Sequence, residues 1–106
     1  MDKEICATCK KPKCISDEDR SLNLDEMPGW SFNISKNSID KTFRFDTFVK
    51  GIDFVSKVAD VAEEYEHHPD ISINYTKVTI SLSTHDLSCI SNMDFEVAKK
   101  IDTVNQ

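Results

Sequence analysis

The chain has 106 residues, which is enough for one domain and leaves little length for a second. Hydrophobic residues make up 39% and charged residues 30%, a balance typical of a globular protein with one core. The net charge of −6 argues against a nucleic-acid partner, because binding a phosphate backbone requires a basic surface. No apolar run is long enough to span a membrane and no signal-peptide pattern opens the chain, so we expect a cytoplasmic protein.

The first part of the chain, residues 1–15, is polar and has neither helical nor strand periodicity. We interpret it as a tail that precedes a domain at residues 16–106. Three of the four cysteines lie in this tail, at Cys6, Cys9 and Cys14. A structural zinc site usually has four ligands, and Cys89 could be the fourth only if the tail folds across the last helix. Reduced thiols in a loosely docked tail are the simpler expectation for the cytosol, while a zinc or redox role remains an alternative.

A short helix and two strands are predicted next. Ser16 is a candidate N-cap for a helix that begins with acidic residues and ends before the turn signal Pro28-Gly29. Apolar and polar residues then alternate from Trp30 to Ile34 and again from Ile39 to Phe45. Alternation of this kind predicts two β-strands with a turn between them.

From Asp46 onward the spacing of apolar residues changes to three and four. This spacing predicts an amphipathic helix of about twenty residues, with Asp46 as its N-cap. Its apolar stripe consists of Phe48, Ile52, Val55, Ala59, Ala62 and Tyr65, with Val58 beside them. The helix must stop at Pro69, because a proline disfavours the helical conformation of the residue before it.

Two further alternating runs, residues 71–75 and 78–82, predict an antiparallel hairpin. Ser91 and Asp94 then form a sequence similar to a capping box, at the start of a last helix that reaches Ile101. Because the strands occur as adjacent pairs, we expect an α+β fold, a four-stranded antiparallel sheet with helices packed on one face.

All three histidines, His67, His68 and His85, lie within a window of 19 residues. The start of the third strand faces the end of the fourth in the predicted hairpin, which places His85 beside the pair that precedes Pro69. Imidazoles suit proton transfer near neutral pH. Glu63 lies four residues before His67 and could orient an imidazole.

Two other interpretations of the histidines remain open. A histidine taken alone is more often a surface residue than a catalyst. Three histidines can also bind zinc or iron, but a pair with a distant third lacks the His-x-x-x-His spacing of a helical metal site. We therefore predict no metal site.

Residues around the histidines form a series of short motifs. They are Glu63-Glu64-Tyr65-Glu66-His67-His68-Pro69-Asp70, Tyr75-Thr76-Lys77-Val78, Leu82-Ser83-Thr84-His85-Asp86, Met27-Pro28-Gly29-Trp30, Phe43-Arg44-Phe45, Asp94, Ala98 and Ile101-Asp102. At this spacing they closely resemble the signature of the pterin-4a-carbinolamine dehydratase family. The resemblance covers most of the chain beyond the tail.

The resemblance implies a hydro-lyase, a 4a-hydroxytetrahydrobiopterin dehydratase of pterin recycling. Its substrate is the 4a-hydroxytetrahydropterin left by aromatic amino acid hydroxylases, and its products are a quinonoid dihydropterin and water. An acid must protonate the departing hydroxyl and a base must accept the N5 proton, so no metal or organic cofactor is implied. Members of this family usually assemble as homodimers or homotetramers.

The resemblance also assigns site residues. The implied catalytic residues are His67, His68 and His85. We expect His68 and His85 to carry the acid and base steps, in an order that the sequence leaves open, and His67 to bind and polarise the substrate. The implied substrate-binding residues are Glu63, Pro69, Thr84, Asp86 and Leu87.

The chain departs from the family pattern in two places. Ser88-Cys89 stands where most members have two glycines, and a positive φ there would cost a non-glycine residue about 1 kcal/mol or more. Ile71-Ser72 stands where many members have aromatic residues. Neither change removes a proton-transfer group.

Two alternative functions come from the same resemblance. Some members of the family are dimerisation partners of a transcription factor, and in that case this chain would be a non-catalytic binding module of the coactivator type. A pterin-related role in molybdenum cofactor pathways is a further alternative. The three histidines favour the enzyme, because a scaffold does not need them.

Overall fold

A computed structural model describes residues 13–84 and 87–105 of the chain. This part contains three α-helices and four β-strands. In chain order they are α1 (Asp17–Asp25), β1 (Ser31–Asn33), β2 (Ser38–Arg44), α2 (Phe48–Tyr65), β3 (Asp70–Asn74), β4 (Lys77–Leu82) and α3 (Asn92–Val104). None of these helices is both long and apolar enough to cross a membrane.

The strands form one antiparallel sheet in the order β1-β2-β4-β3. Alternate residues of the two central strands face the core, and α2 and α3 cover that side of the sheet. The largest fully buried apolar side chains are Ile39, Ile80, Leu82, Ile101, Val58, Val78 and Val97. The prediction of an α+β fold with a four-stranded antiparallel sheet and helices on one face is confirmed.

Several predicted element boundaries are confirmed by their caps. The side chain of Ser16 accepts a hydrogen bond from the backbone N–H of Asp19, so α1 begins where the sequence predicts. Ser91 and Asp94 form a complete capping box at the start of α3. The predicted hairpin is also present, with Asp70 of β3 opposite Ser81 of β4.

The prediction for α2 is wrong at its N-cap and in part of its buried face, although the predicted Val58 and Ala62 are buried. Thr47, not Asp46, caps the helix, because its hydroxyl accepts from the Lys50 N–H. The face that meets the sheet consists of Gly51, Phe54, Val58, Val61 and Ala62. Of the predicted apolar stripe, Phe48, Ile52 and Ala59 are exposed.

Aromatic contacts explain why the buried face of α2 is rotated about the helix axis relative to the predicted stripe. The Phe54 ring lies 4.6 Å from the Phe43 ring and 5.2 Å from the Phe45 ring, measured between centroids. Offset contacts at this distance are favourable and bury large apolar surfaces. Phe54 therefore anchors α2 on the sheet, and Phe48 and Ile52 turn outward.

The segment at residues 13–15 runs antiparallel to residues 90–92. The Ile15 N–H donates to the Ile90 carbonyl at 2.9 Å, and Cys14 pairs with Ser91 as an isolated bridge. This pairing brings Cys14 and Cys89 together in a disulfide, with 5.8 Å between their Cα atoms.

The expectation of reduced thiols in the tail is therefore wrong for Cys14, which is bonded to Cys89. Cys6 and Cys9 lie outside the described residues. The predicted boundary between a tail at residues 1–15 and a domain at residues 16–106 stays a prediction.

A polar cluster occupies the face of the sheet opposite the core. The Asp40 carboxylate accepts hydrogen bonds from the Ser81 hydroxyl at 2.6 Å, the Ser38 hydroxyl at 2.7 Å and the Asn33 amide at 3.0 Å. Partial burial works to raise the pKa of Asp40. The hydrogen bonds and the nearby Lys36 charge together outweigh it, so this pKa lies below its usual 3.8.

The Asp40 cluster predicts a pH-dependent part of the stability. A carboxyl whose pKa is lowered by folding stabilises the protein above its unfolded pKa, and this contribution is lost as the pH falls through the folded value. The free energy of unfolding of the wild type should therefore exceed that of Asp40→Asn at neutral pH, and the difference should narrow as the pH falls below 3.8. Urea unfolding at a series of pH values measures it. Ser81→Ala, which removes one donor and keeps the carboxylate, should be intermediate. Parallel pH profiles for Asp40→Asn and the wild type would contradict the assignment.

Candidate functional site

His67 is held by a buried carboxylate from another element. It follows Glu66, whose left-handed conformation, with φ of 51°, ends α2 and turns the chain toward β3. The His67 Nε2 atom lies 2.5 Å from Oδ1 of Asp94, in the first turn of α3. The Asp94 side chain is fully buried, and the His67 side chain is 13% exposed. Burial of both partners shields this contact from solvent.

The second oxygen of Asp94 is occupied as well. Oδ2 accepts from the Thr84 hydroxyl at 2.9 Å and from the Ser91 backbone N–H at 2.8 Å. The Thr84 and Ser91 hydroxyls lie 2.5 Å apart, and Ser91 Oγ accepts from the Met93 N–H. Buried polar groups are costly unless they are hydrogen-bonded, and each polar group of this cluster has a partner.

This network determines the proton positions. A carboxylate only accepts, so the Thr84 hydroxyl donates to Asp94 and the Ser91 hydroxyl must donate to Thr84. By the same argument the Nε2 atom of His67 carries a proton and donates to Asp94. In the neutral imidazole the other nitrogen, Nδ1, is then the acceptor. The network therefore fixes both the orientation and the tautomer of His67.

His68 has a different environment. Its Nε2 atom lies 2.6 Å from Oε2 of Glu63, but the two side chains are 62% and 77% exposed. Glu63 contacts His68 rather than His67, because the turn at Glu66 takes His67 off the helix face that Glu63 occupies. An exposed pair of this kind contributes little to stability, so its geometry points to orientation of the imidazole.

The end of β4 is closed by a short loop. Thr84 forms a bridge with Cys89, in which the Thr84 N–H donates to the Cys89 carbonyl at 2.9 Å. The Leu87 N–H donates to the Thr84 carbonyl, and Ser88 has a φ of 54°. The positive φ considered for the Ser88-Cys89 position is therefore present at Ser88. The Asn37 side-chain amide donates to the Ser88 carbonyl at 2.9 Å and ties the loop to the turn before β2.

A polar pocket of about 210 Å³ lies beside this loop. The residues that line it are Lys36, Asn37, Ser83, Thr84, Ser88 and Cys89. Thr84 therefore belongs both to the lining of the pocket and, through its hydroxyl, to the Asp94 network.

The contacts of the structure connect the predicted site residues that it describes in two groups. Thr84 and His67 meet through Asp94, Glu63 meets His68, and Leu87 is bonded to the Thr84 carbonyl. Pro69 follows His68 directly and precedes β3. The predicted residues His85 and Asp86 lie outside the described residues. Within residues 13–84 and 87–105, no three His, Cys, Asp or Glu side chains are grouped so that they could hold a metal ion.

Asp94 and Ser91 were not among the predicted site residues. The sequence predicts both as cap residues, and that signal is correct. It does not show that the carboxylate of Asp94 also reaches His67, which lies 27 residues earlier. That contact depends on the packing of α3 against α2 and on the left-handed turn at Glu66.

The family model and the curated relatives that match this chain point to the same family. The model of the family described as pterin 4 alpha carbinolamine dehydratase matches residues 13–104. A protein of Sulfurisphaera tokodaii, which provisionally carries the name pterin-4-alpha-carbinolamine dehydratase, is 41% identical over 90 residues, 85% of this chain and 95% of that protein. A protein of Herpetosiphon aurantiacus with the same provisional name is 47% identical over 81 residues, 76% of this chain and 82% of that protein.

Two solved structures have a similar fold. A transcriptional coactivator/pterin dehydratase from Brucella melitensis has a TM-score of 0.84 at 23% identity, over 89% of this chain and all of that one. A pterin dehydratase-like RuBisCO assembly factor of the alpha-carboxysome has a TM-score of 0.63 at 22% identity, over 74% of this chain and 92% of that one. At this level of identity the likeness shows the fold alone.

The role of Asp94 can be tested by Asp94→Asn. The amide would direct a donor at one of the three groups that donate to the carboxylate, so the free energy of unfolding should fall by about 2 kcal/mol or more. The ¹⁵N chemical shifts of His67 should also show loss of the single Nε2–H tautomer. Asp60→Asn, at an exposed position of α2, is the control and should change stability by less than about 0.5 kcal/mol. Equal stability of the two variants would contradict the network.

Proposed function

Because the chain belongs to the pterin 4 alpha carbinolamine dehydratase family, we propose that it removes water from a 4a-hydroxytetrahydropterin. The product is a quinonoid dihydropterin, and the enzyme is a hydro-lyase, a 4a-hydroxytetrahydrobiopterin dehydratase. The observation that carries this proposal is the contrast between two adjacent histidines. His67 is fixed by a buried carboxylate, while His68 is open to solvent and to a ligand.

The proposed reaction requires two proton transfers and no electron transfer. The bond between C4a and the hydroxyl oxygen breaks, and the oxygen takes a proton and leaves as water. The N5 proton is lost to a base, and the electron pair of the N5–H bond forms the C4a–N5 double bond. Imidazoles can serve as both acid and base near neutral pH, so the proposed mechanism uses no metal or organic cofactor.

His67 is suited to bind and polarise the substrate. Its ring is held in one orientation by Asp94, so little conformational entropy is lost when a ligand contacts it. The Asp94 carboxylate also stabilises positive charge on the imidazole if the ring shares a proton with the substrate. In this mechanism Asp94 is a positioning residue, since it acts through His67.

We assign the acid and base steps to His68 and His85. The exposed His68 can exchange protons with both substrate and solvent, and Glu63 orients its ring. His85 follows Thr84 directly in the sequence, and Thr84 is bonded to the carboxylate that holds His67. The pairing of β3 with β4 therefore supports placing all three histidines at one end of the hairpin.

The remaining assignments belong to the same proposal. Pro69, Thr84, Asp86 and Leu87 would contact the pterin, and an aromatic amino acid hydroxylase would supply it. A cytoplasmic location and assembly as a homodimer or homotetramer are proposed from the sequence and the family. The rival proposal, a coactivator-type binding module or a role in molybdenum cofactor chemistry, predicts no dehydratase activity.

A coupled assay tests the proposed reaction. An aromatic amino acid hydroxylase generates the 4a-hydroxypterin in situ, and the quinonoid product is followed by absorbance with and without this protein. We expect a rate above the spontaneous dehydration that increases in proportion to protein concentration. A rate equal to the spontaneous one would overturn the enzyme proposal and leave the binding module.

Substitution of the histidines tests their roles. His68→Ala and His85→Ala should each lower kcat by roughly 10²-fold or more, because each removes a proton-transfer group. His67→Ala should raise KM as well, since it removes a binding contact. Glu63→Gln should reduce activity by a smaller factor, and Glu64→Gln, the next residue of the same exposed helix surface, is its control. Activity near the wild-type level in His68→Ala or His85→Ala would remove that residue from the mechanism.

A further inference from the structure

The Cys14–Cys89 disulfide joins the N-terminal segment, residues 13–15, to the loop end, residues 87–91. Hydrogen bonds flank the disulfide on both sides. The Ile15 N–H donates to the Ile90 carbonyl at 2.9 Å, and the Asn92 N–H donates to the Lys13 carbonyl at 3.1 Å. The Lys13 N–H in turn donates to the Asn92 side-chain oxygen at 2.8 Å. The N-terminal segment is thus built onto the loop end as a short added strand.

The loop end leads directly to the residues that hold His67. The carbonyl of Cys89 accepts from the Thr84 N–H, and Thr84 donates its hydroxyl proton to Asp94. Cys14 pairs with Ser91, whose N–H also donates to Asp94. Thr84 and Ser91, which pair with the two cysteines of the disulfide, are therefore both direct hydrogen-bond partners of the carboxylate that positions His67.

We propose that Cys14 and Cys89 form a thiol–disulfide exchange site whose redox state controls how firmly the N-terminal segment holds the loop end. In the oxidised form the loop end is tethered, and Thr84 and Ser91 are held against Asp94. In the reduced form the N-terminal segment separates from the loop end, and the network around His67 loosens. The effect on the loop does not depend on what the site does, while an effect on turnover rests on the proposed dehydratase function.

The exchange requires a dithiol reductant. One of its thiolates attacks the sulfur of Cys14, forms a mixed disulfide and releases the Cys89 thiolate, which takes up a proton. The second thiol then attacks the mixed disulfide, so the reductant becomes a disulfide and Cys14 becomes a thiol. Cys14 is exposed and Cys89 is half-buried, which favours attack at Cys14. Oxidation reverses these steps with a disulfide as the electron acceptor.

The attachment of the segment depends on the covalent bond. Without it, residues 13–15 are held by three hydrogen bonds and by the half-buried Ile15 side chain against the core, and each such hydrogen bond contributes only modestly in water. The bond joins positions 75 residues apart in sequence, so it also restricts a large part of the unfolded chain. Reduction should therefore both release the segment and lower the thermal stability of the domain.

The test uses the 106-residue chain with the substitutions Cys6→Ser and Cys9→Ser, in which Cys14 and Cys89 are the remaining cysteines. The protein is oxidised with a disulfide reagent or reduced with dithiothreitol, and the bond is verified by mass after thiol alkylation. Trypsin cleavage between Lys13 and Cys14 is then followed by mass spectrometry. We expect cleavage at least roughly 10-fold faster after reduction, because the segment must open to enter the protease. The Tm should fall by roughly 10 °C or more.

Control variants separate loss of the bond from other effects of the reductant. Cys14→Ser and Cys89→Ser are made in the same background. Under both oxidising and reducing conditions, each should be cleaved as fast as the reduced parent protein. The inference is overturned if Cys14 and Cys89 stay fully alkylatable under oxidising conditions, or if oxidised and reduced protein are cleaved at the same rate.

The dehydratase assay on the same samples separates the two proposals. Redox-dependent cleavage without dehydratase activity would support the exchange site and overturn the proposed function. Dehydratase activity together with a cleavage rate that is the same before and after reduction would support the proposed function and overturn the exchange site.

Discussion

The buried carboxylate of Asp94 is the interaction on which the site depends. A fully buried carboxylate is costly unless its oxygens are hydrogen-bonded, so three donors must be in place when the protein is folded. These donors come from three parts of the chain, namely His67 after α2, Thr84 after β4 and Ser91 before α3. Satisfying one acid therefore fixes the relative positions of the three segments that build the site.

The different environments of two adjacent histidines follow from a single backbone turn. Glu66 takes the left-handed conformation that ends α2, and its N–H donates to the carbonyls of Ala62 and Glu63 in the last turn of the helix. His67 then points into the domain toward Asp94, and His68 stays outside beside Glu63. One imidazole is held in place and the other is accessible, which is the division of roles that the proposed dehydration uses.

Local patterns in the sequence were sufficient to predict much of the fold, but they did not predict the contacts between distant positions. The cap at Ser16, the capping box at Ser91 and the β3–β4 hairpin follow from residues a few positions apart. The buried face of α2 depends on Phe54 meeting Phe43 and Phe45 across the core, and a stripe of apolar residues does not show which edge of it faces inward. The pairing of Cys14 with Cys89 and of His67 with Asp94 spans distant positions, so no periodicity indicates either.

The polar cluster around Asp40 has a consequence for the site on the other face of the sheet. Shifting β4 by one residue against β2 would exchange the two faces of the strand, and it would replace the hydroxyl of Ser81 beside Asp40 by an apolar side chain. The same shift would carry Thr84 away from Asp94. The hydrogen bond from Ser81 to Asp40 on the outer face of the sheet therefore favours one alignment of β4 with β2, and a substitution there can misplace a residue of the site without touching it.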